Sequence, residues 1–237
     1  MTNIVVVSPH LDDALLSCGE LLARCGGASV VTLFAGAPAD YEVVTAWDRA
    51  SGFASGEDAV AARREEDLRA LESVGARPVW LPFIDSQYPS ERGTAECAAS
   101  LRVALDELGT ETVLVPLGLV HPDHVLTNDA AMCVLASDRG RVWYGYEDAI
   151  HRSVRGVTDE RLRVLRARGV AAVPLPSPRN RAISRKQLAL SEYPSQLQAL
   201  AADSGPGYLD ALEPERYWRL QMTGPGDGGV GAPSPVS

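Results

Sequence analysis

Two short polar segments concentrate the residue types that bind metal ions and move protons. The first reads Ser8-Pro9-His10-Leu11-Asp12-Asp13 and the second reads His121-Pro122-Asp123-His124, and together they hold three of the 4 histidines. Imidazole and carboxylate groups suit a divalent metal such as zinc, whose catalytic sites keep three protein ligands and one open position. A carboxylate left beside the ion can act as a general base on water. The segments predict a metal-assisted hydrolytic site, although the residues alone do not show which carboxylate ligates the ion and which is the base.

The secondary-structure elements around the segments must bring them together. Residues 4–7 and 28–34 are β-branched, apolar runs, and such runs are typical of parallel strands that are covered on both faces. Between them, residues 14–25 carry leucines at helical spacing, and Gly26-Gly27 is a helix stop signal. The first 34 residues therefore predict a β-α-β unit.

The rest of the chain continues this alternation. Helices are predicted over residues 57–74, 93–108, 125–135 and 184–201, strands over 79–83, 112–115 and 142–146, and loops over 35–56 and, as a Pro-rich loop or lid, 171–181. The alternation predicts an α/β fold with a Rossmann-like, open, mostly parallel sheet and helices on both faces. We expect one domain over residues 1–223 and a disordered Gly/Pro-rich tail over residues 224–237.

Both polar segments follow predicted strands of this sheet, where open α/β sheets bind their ligands. The first comes directly after the strand at 4–7, and the second comes soon after the strand at 112–115. The structural alternative is that Asp12 or Asp13 only caps the next helix and that the histidines are merely solvated. Two such segments at two strand ends favour a common site over that alternative.

Composition excludes several other classes of protein. The 237 residues carry a net charge of -9, which argues against nucleic-acid binding and against a polybasic membrane anchor. No run approaches the roughly 18 apolar residues of a membrane span, and the start of the chain lacks the features of a signal peptide, so a cytoplasmic protein is expected. Residues 8–20 contain no GxGxxG motif, which disfavours a nucleotide-binding enzyme.

On these residues the chain resembles the LmbE/PIG-L family of zinc-dependent N-deacetylases. The family carries a PHPDDE-like motif after its first strand and an HPDH motif after a later one; here they stand as Pro9-His10-Leu11-Asp12-Asp13-Ala14 and His121-Pro122-Asp123-His124. Weaker similarity covers roughly residues 4–220 and includes Trp47-Asp48, Arg63-Arg64-Glu65-Glu66-Asp67, Phe83-Ile84-Asp85-Ser86-Gln87-Tyr88, Tyr146-Glu147-Asp148 and Tyr193-Pro194-Ser195-Gln196. Leu11 and Ala14 stand where the family has proline and glutamate, which indicates a divergent subgroup.

The resemblance implies a role for each residue of the two motifs. His10, Asp13 and His124 would ligate Zn²⁺, although such a site also accepts Fe²⁺ or another divalent ion. Asp12 would be the general base that deprotonates the attacking water. His121 would stabilise the oxyanion and protonate the leaving amine. An unperturbed histidine has a pKa near 6.5, so we expect Asp123 to orient His121 and keep it charged.

The resemblance also implies residues that contact the substrate. Arg63 and Asp85 match family positions near sugar hydroxyls, with Arg64 as the alternative arginine. Trp47 lies in the predicted loop at 35–56 and is the candidate for stacking on a sugar ring. His151 lies outside both motifs, and we expect it at the surface.

The function implied is removal of an N-acetyl group from a small-molecule amino sugar or glycoconjugate, in a natural-product or thiol-cofactor pathway. One alternative is an amidase that cleaves a larger N-acyl group, as other family members do in thiol-conjugate detoxification (the mycothiol-conjugate type). A second is an inactive metal-binding scaffold, although Asp12 and His121 beside the ligands argue against it. Partners such as nucleic acid or membrane are not expected, and a homo-oligomer is compatible with the sequence.

Overall fold

The computed structural model describes residues 4–38, 40, 42–91, 93–176, 182–202 and 207–223. Its strands are β1 (Ile4–Ser8), β2 (Ser29–Thr32), β3 (Arg77–Trp80), β4 (Thr112–Pro116), β5 (Val142–Tyr146), β6 (Val170–Pro174) and β7 (Tyr217–Met222). Its α-helices are α1 (Asp13–Cys25), α2 (Ala46–Ala50), α3 (Gly56–Ser73), α4 (Thr94–Glu107), α5 (Pro122–Ser137), α6 (Val157–Ala167), α7 (Ile183–Leu190) and α8 (Pro194–Ala202), and a 3-10 helix spans Gly207–Leu212.

The strands form one seven-stranded sheet in the order β3-β2-β1-β4-β5-β7-β6. The pairs from β3 to β5 are parallel, whereas β7 runs antiparallel to both β5 and β6. Val5 of β1 pairs with Ser29 on one side and Val113 on the other. The expected open, mostly parallel sheet is confirmed, with a mixed edge that the sequence did not indicate.

Alternation along β1 divides the core between the two faces of the sheet. Val5 and Val7 pack with apolar residues of α4 and α5, whereas Val6 packs with those of α1, α3 and α7. All three valines are fully buried, as expected for a parallel strand covered on both faces. The helices thus lie on both sides of the sheet, as predicted.

Several predicted boundaries are corrected. The expected loop at 35–56 contains α2, whose first turn is held by a capping box between Thr45 and Asp48. The expected helix at 184–201 is two helices, because Pro194 begins α8 and lacks the N–H that a continuous helix would need. Part of the expected lid at 171–181 is strand β6, and residues 177–181 lie outside the described residues, as does the predicted tail at 224–237.

The neighbouring strands β1 and β4 place the two motifs at one edge of the sheet, because parallel strands end on the same side. The turn after β4 depends on Gly118, which has a φ of +82° and whose added Cβ would lie 2.8 Å from the backbone oxygen of His124. Only glycine fits this approach. Within the described ranges, no helix has the length and apolar character that crossing a bilayer requires.

Candidate active site

Two of the three predicted metal ligands, His10 and His124, converge on an oxygen atom of the third, Asp13. Asp13 Oδ2 lies 3.0 Å from His10 Nδ1 and 3.1 Å from His124 Nε2. Asp13 and His124 are buried, and His10 is half-buried at the edge of a cavity. Two imidazole nitrogens aimed at one carboxylate form the donor set of a His₂Asp metal site.

Local hydrogen bonds explain how the first motif takes this shape. The Ser8 hydroxyl donates to the His10 carbonyl at 2.6 Å and accepts the Ala14 N–H at 3.0 Å, so it satisfies a free donor at the start of α1. Asp12 occupies the cap position but makes no capping bond with its side chain. The alternative that Asp12 merely caps a helix is therefore not what the structure shows.

Each of these two histidines has a second carboxylate on its other nitrogen. Asp123 Oδ2 lies 3.1 Å from His10 Nε2, and Asp148 Oδ1 lies 2.6 Å from His124 Nδ1. Such partners fix the tautomer and orientation of a metal-binding imidazole and raise its basicity. Asp148, which was not among the predicted site residues, lies just after β5, and its other oxygen accepts the N–H groups of Gly118 and Leu119 at 3.0 Å each.

His121 is oriented by its own helix. It is the N-cap of α5, and its Nδ1 accepts the N–H of Asp123 at 3.2 Å. A ring that accepts at Nδ1 is neutral and carries its proton on Nε2. Burial, together with the charges of His10 and His124, lowers the pKa of His121 to about 4.

The expectation that Asp123 keeps His121 protonated is therefore corrected. The Asp123 carboxylate does raise the pKa of His121, but burial and the two histidines outweigh it. Its Oδ2 hydrogen bonds His10 and accepts the Ser86 N–H at 2.8 Å. The structure thus places Asp123 as a partner of His10.

Among the residues that the structure describes, two groups have ligand atoms that all lie within 4.8 Å of one another: His10 with His121 and His124, and His10 with Asp85 and Asp123. We favour Asp13 over His121 as the third ligand, because the His121 Nδ1 lone pair accepts a backbone N–H and Nε2 carries the ring proton. The Asp85 and Asp123 group uses His10 Nε2, the nitrogen turned away from Asp13.

Asp12 lines the same cavity beside the ligands. Burial, followed by the charge of Asp13, raises the pKa of Asp12 to about 7. A carboxyl group with that pKa can both accept and return a proton near neutral pH. This property fits the general base that the resemblance implies.

Of the two candidate arginines, Arg63 lines the cavity. Its Nη2 lies 2.9 Å from Asp48 Oδ1, and its buried Nε has no hydrogen-bond partner within the described part of the chain. Arg64 instead donates twice to the Ala35 carbonyl and lies over the Trp80 ring. The structure therefore favours Arg63 as the arginine beside a substrate.

Asp85 and Trp47 also line the cavity, and each is held by a glutamine. Asp85 accepts hydrogen bonds from the Gln87 backbone N–H and side-chain amide at 2.9 Å each. The Trp47 indole N–H donates to the Gln196 side chain at 3.0 Å. The predicted substrate residues thus surround the cavity that contains the ligands.

The fourth histidine is at this site as well, contrary to the expectation of a surface position. The His151 ring lines the cavity, with its centroid 5.0 Å from that of His124 and 6.3 Å from that of His121. Its backbone N–H donates to the Asp148 carbonyl at 3.0 Å. Spacing in the sequence carries no sign of this proximity, because His151 enters through the turn after β5.

Comparisons with known proteins identify the family of the chain. The family profile described as PIG-L, GlcNAc-PI de-N-acetylase, matches residues 5–135. The 2'-N-acetylparomamine deacetylase of Streptomyces fradiae is 31% identical over 190 residues, which cover 70% of this chain and 63% of that protein. The match thus spans just under two thirds of that relative's length.

Two solved deacetylases share the fold. An antimicrobial-reagent pseudoaglycone deacetylase is 26% identical with a TM-score of 0.76, covering 94% of this chain and 98% of its own. The zinc-inhibited form of teicoplanin deacetylase is 23% identical with a TM-score of 0.79, covering 96% of this chain and 100% of its own. Since the family profile matches more than half of the chain, including both motifs of the site, the chain belongs to the PIG-L family.

Proposed function

We propose that this chain is a metal-dependent N-deacetylase that hydrolyses the acetamide of an N-acetylated amino sugar or glycoconjugate, in a natural-product or thiol-cofactor pathway. The observation that carries the proposal is the convergence of His10 Nδ1 and His124 Nε2 on Asp13 Oδ2, with Asp12 beside them. Support also comes from the relatives, which are deacetylases of paromamine-type and pseudoaglycone-type compounds by name.

The donor set fits a divalent ion. His10, Asp13 and His124 offer two nitrogens and one oxygen, which suit zinc and also accept Fe²⁺. Asp123 and Asp148 would keep His10 and His124 in the tautomers that this role needs. When bound, such an ion supplies Lewis-acid chemistry, because it lowers the pKa of water to roughly 7 and polarises an amide carbonyl.

Asp12 is the proton carrier in this proposal. With a pKa of about 7, its carboxylate accepts a proton from the attacking water. The same carboxyl group then donates the proton to the leaving nitrogen, which must be protonated as the C–N bond breaks. His121 keeps its Nε2 proton, and this N–H group donates a hydrogen bond to the developing oxyanion. His121 is therefore a hydrogen-bond donor here, and Asp12 takes over the acid role first expected of His121.

Arg63, Asp85 and Trp47 are proposed to bind the sugar. Asp85 offers carboxylate oxygens that accept hydrogen bonds from sugar hydroxyls. Its side chain is 22% exposed and lines the cavity. Arg63 is buried and offers donors. Trp47 is fixed by Gln196, which leaves the indole face free to pack against a sugar ring.

The test combines metal analysis with acetate release. The purified chain is stripped, reloaded with Zn²⁺, Fe²⁺ or Co²⁺, and assayed on N-acetyl amino sugars and N-acetylated glycoconjugates. We expect one equivalent of bound ion and stoichiometric acetate with at least one substrate. Tight metal binding without release from any amide would instead favour the inactive scaffold.

A second candidate is hydrolysis of a larger N-acyl group. The cavity has a volume of about 310 Å³ and must hold the sugar as well as the acyl group, so its lining and not its volume supports this candidate. Its apolar lining includes Leu11, Phe34, Val60, Ile150 and Leu200. A series of acyl lengths on one amino sugar decides the matter, because a preference for longer chains would replace deacetylation by amidase activity.

A further inference from the structure

His151 is the cavity histidine to which the proposed reaction assigns no role. Both ring nitrogens of His10 and of His124 lie against carboxylates, and His121 Nδ1 accepts a backbone N–H. By contrast, the His151 ring makes no hydrogen bond to any residue that the structure describes. The half-buried ring lines the cavity, so its nitrogens are available to hydrogen bond a molecule bound there.

The position of the ring is well defined. The backbone N–H groups of His151 and Arg152 both donate to the Asp148 carbonyl at 3.0 Å. The Arg152 side chain donates to the carbonyls of Asp210 and Pro214, which ties this turn to the segment before β7. The His151 ring packs edge-on against His124 and nearly parallel to His121. The turn that carries His151 is thus held in place, and the ring packs in the wall of the cavity.

The location of His151 differs from that of the sugar-binding candidates. Asp85 Oδ2 lies 3.8 Å from His10 Nε2, whereas His151 contacts His121 and His124. Asp85 and His151 therefore flank the imidazole cluster from different sides. Among the described residues, His151 belongs to neither of the further donor groups within ligand range, which argues against a role as a metal ligand.

We propose that His151 is a specificity-determining residue whose ring hydrogen bonds a hydroxyl or amino group of the substrate, on the side of the reacting amide away from Asp85. The inference rests on the proposed function and narrows it. A substrate held on both sides must carry polar groups on both sides of its acetamide. That description fits a polyhydroxylated or polyamino sugar conjugate better than an acyl chain on a simple amine.

The test combines substitutions at residue 151 with the removal of single polar groups from the substrate, in the manner of a double-mutant cycle. His151→Phe removes the hydrogen bond and keeps an aromatic ring, while His151→Asn keeps a polar group. Each variant and the wild type are assayed on one active N-acetyl amino sugar, on analogues that each lack one hydroxyl or amino group, and on its N-glycolyl form. Bound metal is measured for every protein.

We expect the wild-type kcat/KM to be about 10- to 100-fold lower on one analogue, because the group that this analogue lacks is the partner of the imidazole. His151→Phe should lose a similar factor on the full substrate and show no further loss on that analogue. Such coupling at a single position is the sign of a direct contact. Metal content should be unchanged.

Val154→Ala is the matched control, because Val154 lies on the same turn and its side chain is 50% exposed. It should behave as the wild type on every analogue. Loss of metal in both His151 variants would make His151 a ligand and overturn the inference. An active wild type with equal losses on all analogues, whichever residue stands at 151, would overturn it as well. An inactive wild type would instead remove the proposed function and the inference together.

Discussion

Asp12 and Asp13 are neighbours in the chain but have opposite acid strengths. Burial favours the neutral form of Asp13, but His124 and His10 overcome that effect and hold its pKa well below the usual value. Asp12 has a pKa of about 7, because burial and the charge of Asp13 act in the same direction. Asp12 is the N-cap before α1, whereas Asp13 is the first residue of the helix, so the two adjacent carboxyl groups start from different backbone conformations. Divergent pKa values of this kind separate a permanent ligand from a proton carrier.

The substitution Asp12→Asn should separate these roles. The variant should keep its metal and lose about 10²- to 10⁴-fold in kcat, the usual contribution of a general acid–base group. Asp13→Asn is the matched comparison and should lose metal affinity. Metal content and kcat are measured on both proteins; a metal-free Asp12→Asn with a loaded Asp13→Asn would mean that base and ligand are exchanged.

A second substitution tests the neutral form of His121. Removing an oxyanion donor lowers kcat by about 10²- to 10³-fold, and His121→Ala should do so with its metal retained. His121→Gln can still present an N–H group and should recover part of the rate. Because the pKa of His121 is about 4, loss of its charge should not cause a fall in kcat between pH 6 and 8. If Gln rescues nothing and kcat falls through that range, a charged His121 is required.

Among the elements, the turn from β4 to α5 holds backbone strain. Val120 has a φ of +58°, a left-handed conformation that is costly for a β-branched residue. It is 56% exposed, so side-chain burial cannot explain the choice of valine. The strain sits directly before His121, and strained residues of this kind cluster at functional sites.

Replacing Val120 should therefore raise stability. Asn tolerates the left-handed conformation, so Val120→Asn is expected to increase the free energy of unfolding by about 1 kcal/mol. The measurement is urea denaturation. Val154→Asn is the control, since Val154 is similarly exposed and has no positive φ. Equal changes in the two variants would show that polarity, and not strain, is responsible.

The segment after β5 reaches the proposed metal site through Asp148. One oxygen of its carboxylate hydrogen bonds His124 Nδ1, and the other accepts two backbone N–H groups. An amide has a single oxygen, so it can accept hydrogen bonds on one side only. Asp148→Asn should therefore weaken metal binding by about 10- to 100-fold. Metal titration measures this, with the exposed Glu160→Gln as control. Unchanged affinity in Asp148→Asn would reduce Asp148 to a structural role.

Local pattern predicted the elements nearest the site better than those at the far edge. The apolar run of β1 and the leucine spacing of α1 are local signals, and both elements lie where they were expected. Strands β6 and β7 were missed, because β7 is defined by pairing with β5 and β6 by pairing with β7, across long stretches of chain. The ligands were similarly visible in two motifs, whereas Asp148 and His151 come to the cavity only through tertiary structure.

At the scale of the whole molecule, Asp67 joins three parts of the fold. On α3, it accepts a hydrogen bond from Trp80 at the end of β3 at 2.7 Å and another from Tyr193, between α7 and α8, at 2.8 Å. Burial raises the pKa of Asp67 to about 7, although both hydrogen bonds oppose the shift. The folded state therefore prefers a protonated Asp67 more strongly than the unfolded state does.

This preference makes stability depend on pH. A pKa raised on folding gives a contribution that is complete below the unfolded pKa, near 3.9, and is lost as pH rises through about 7. From pH 5 to 8, the loss of this contribution should lower stability by about 3 kcal/mol. Asp67→Asn stays neutral, so the fall between these pH values should be smaller in the variant. Urea denaturation of the metal-loaded proteins measures it, and identical pH profiles would contradict the assignment.

The pairing of β1 with β4 would make the stability of the protein depend on the supply of the proposed metal ion. His10 and His124 meet only because these strands, distant in the chain, are paired, so an unfolded chain offers the ion no preformed chelate. An ion that binds only the folded state stabilises it in proportion to the logarithm of its free concentration. A shortage of the ion would then lower the amount of folded protein as well as its catalytic rate. The cellular level of this chain would follow metal supply.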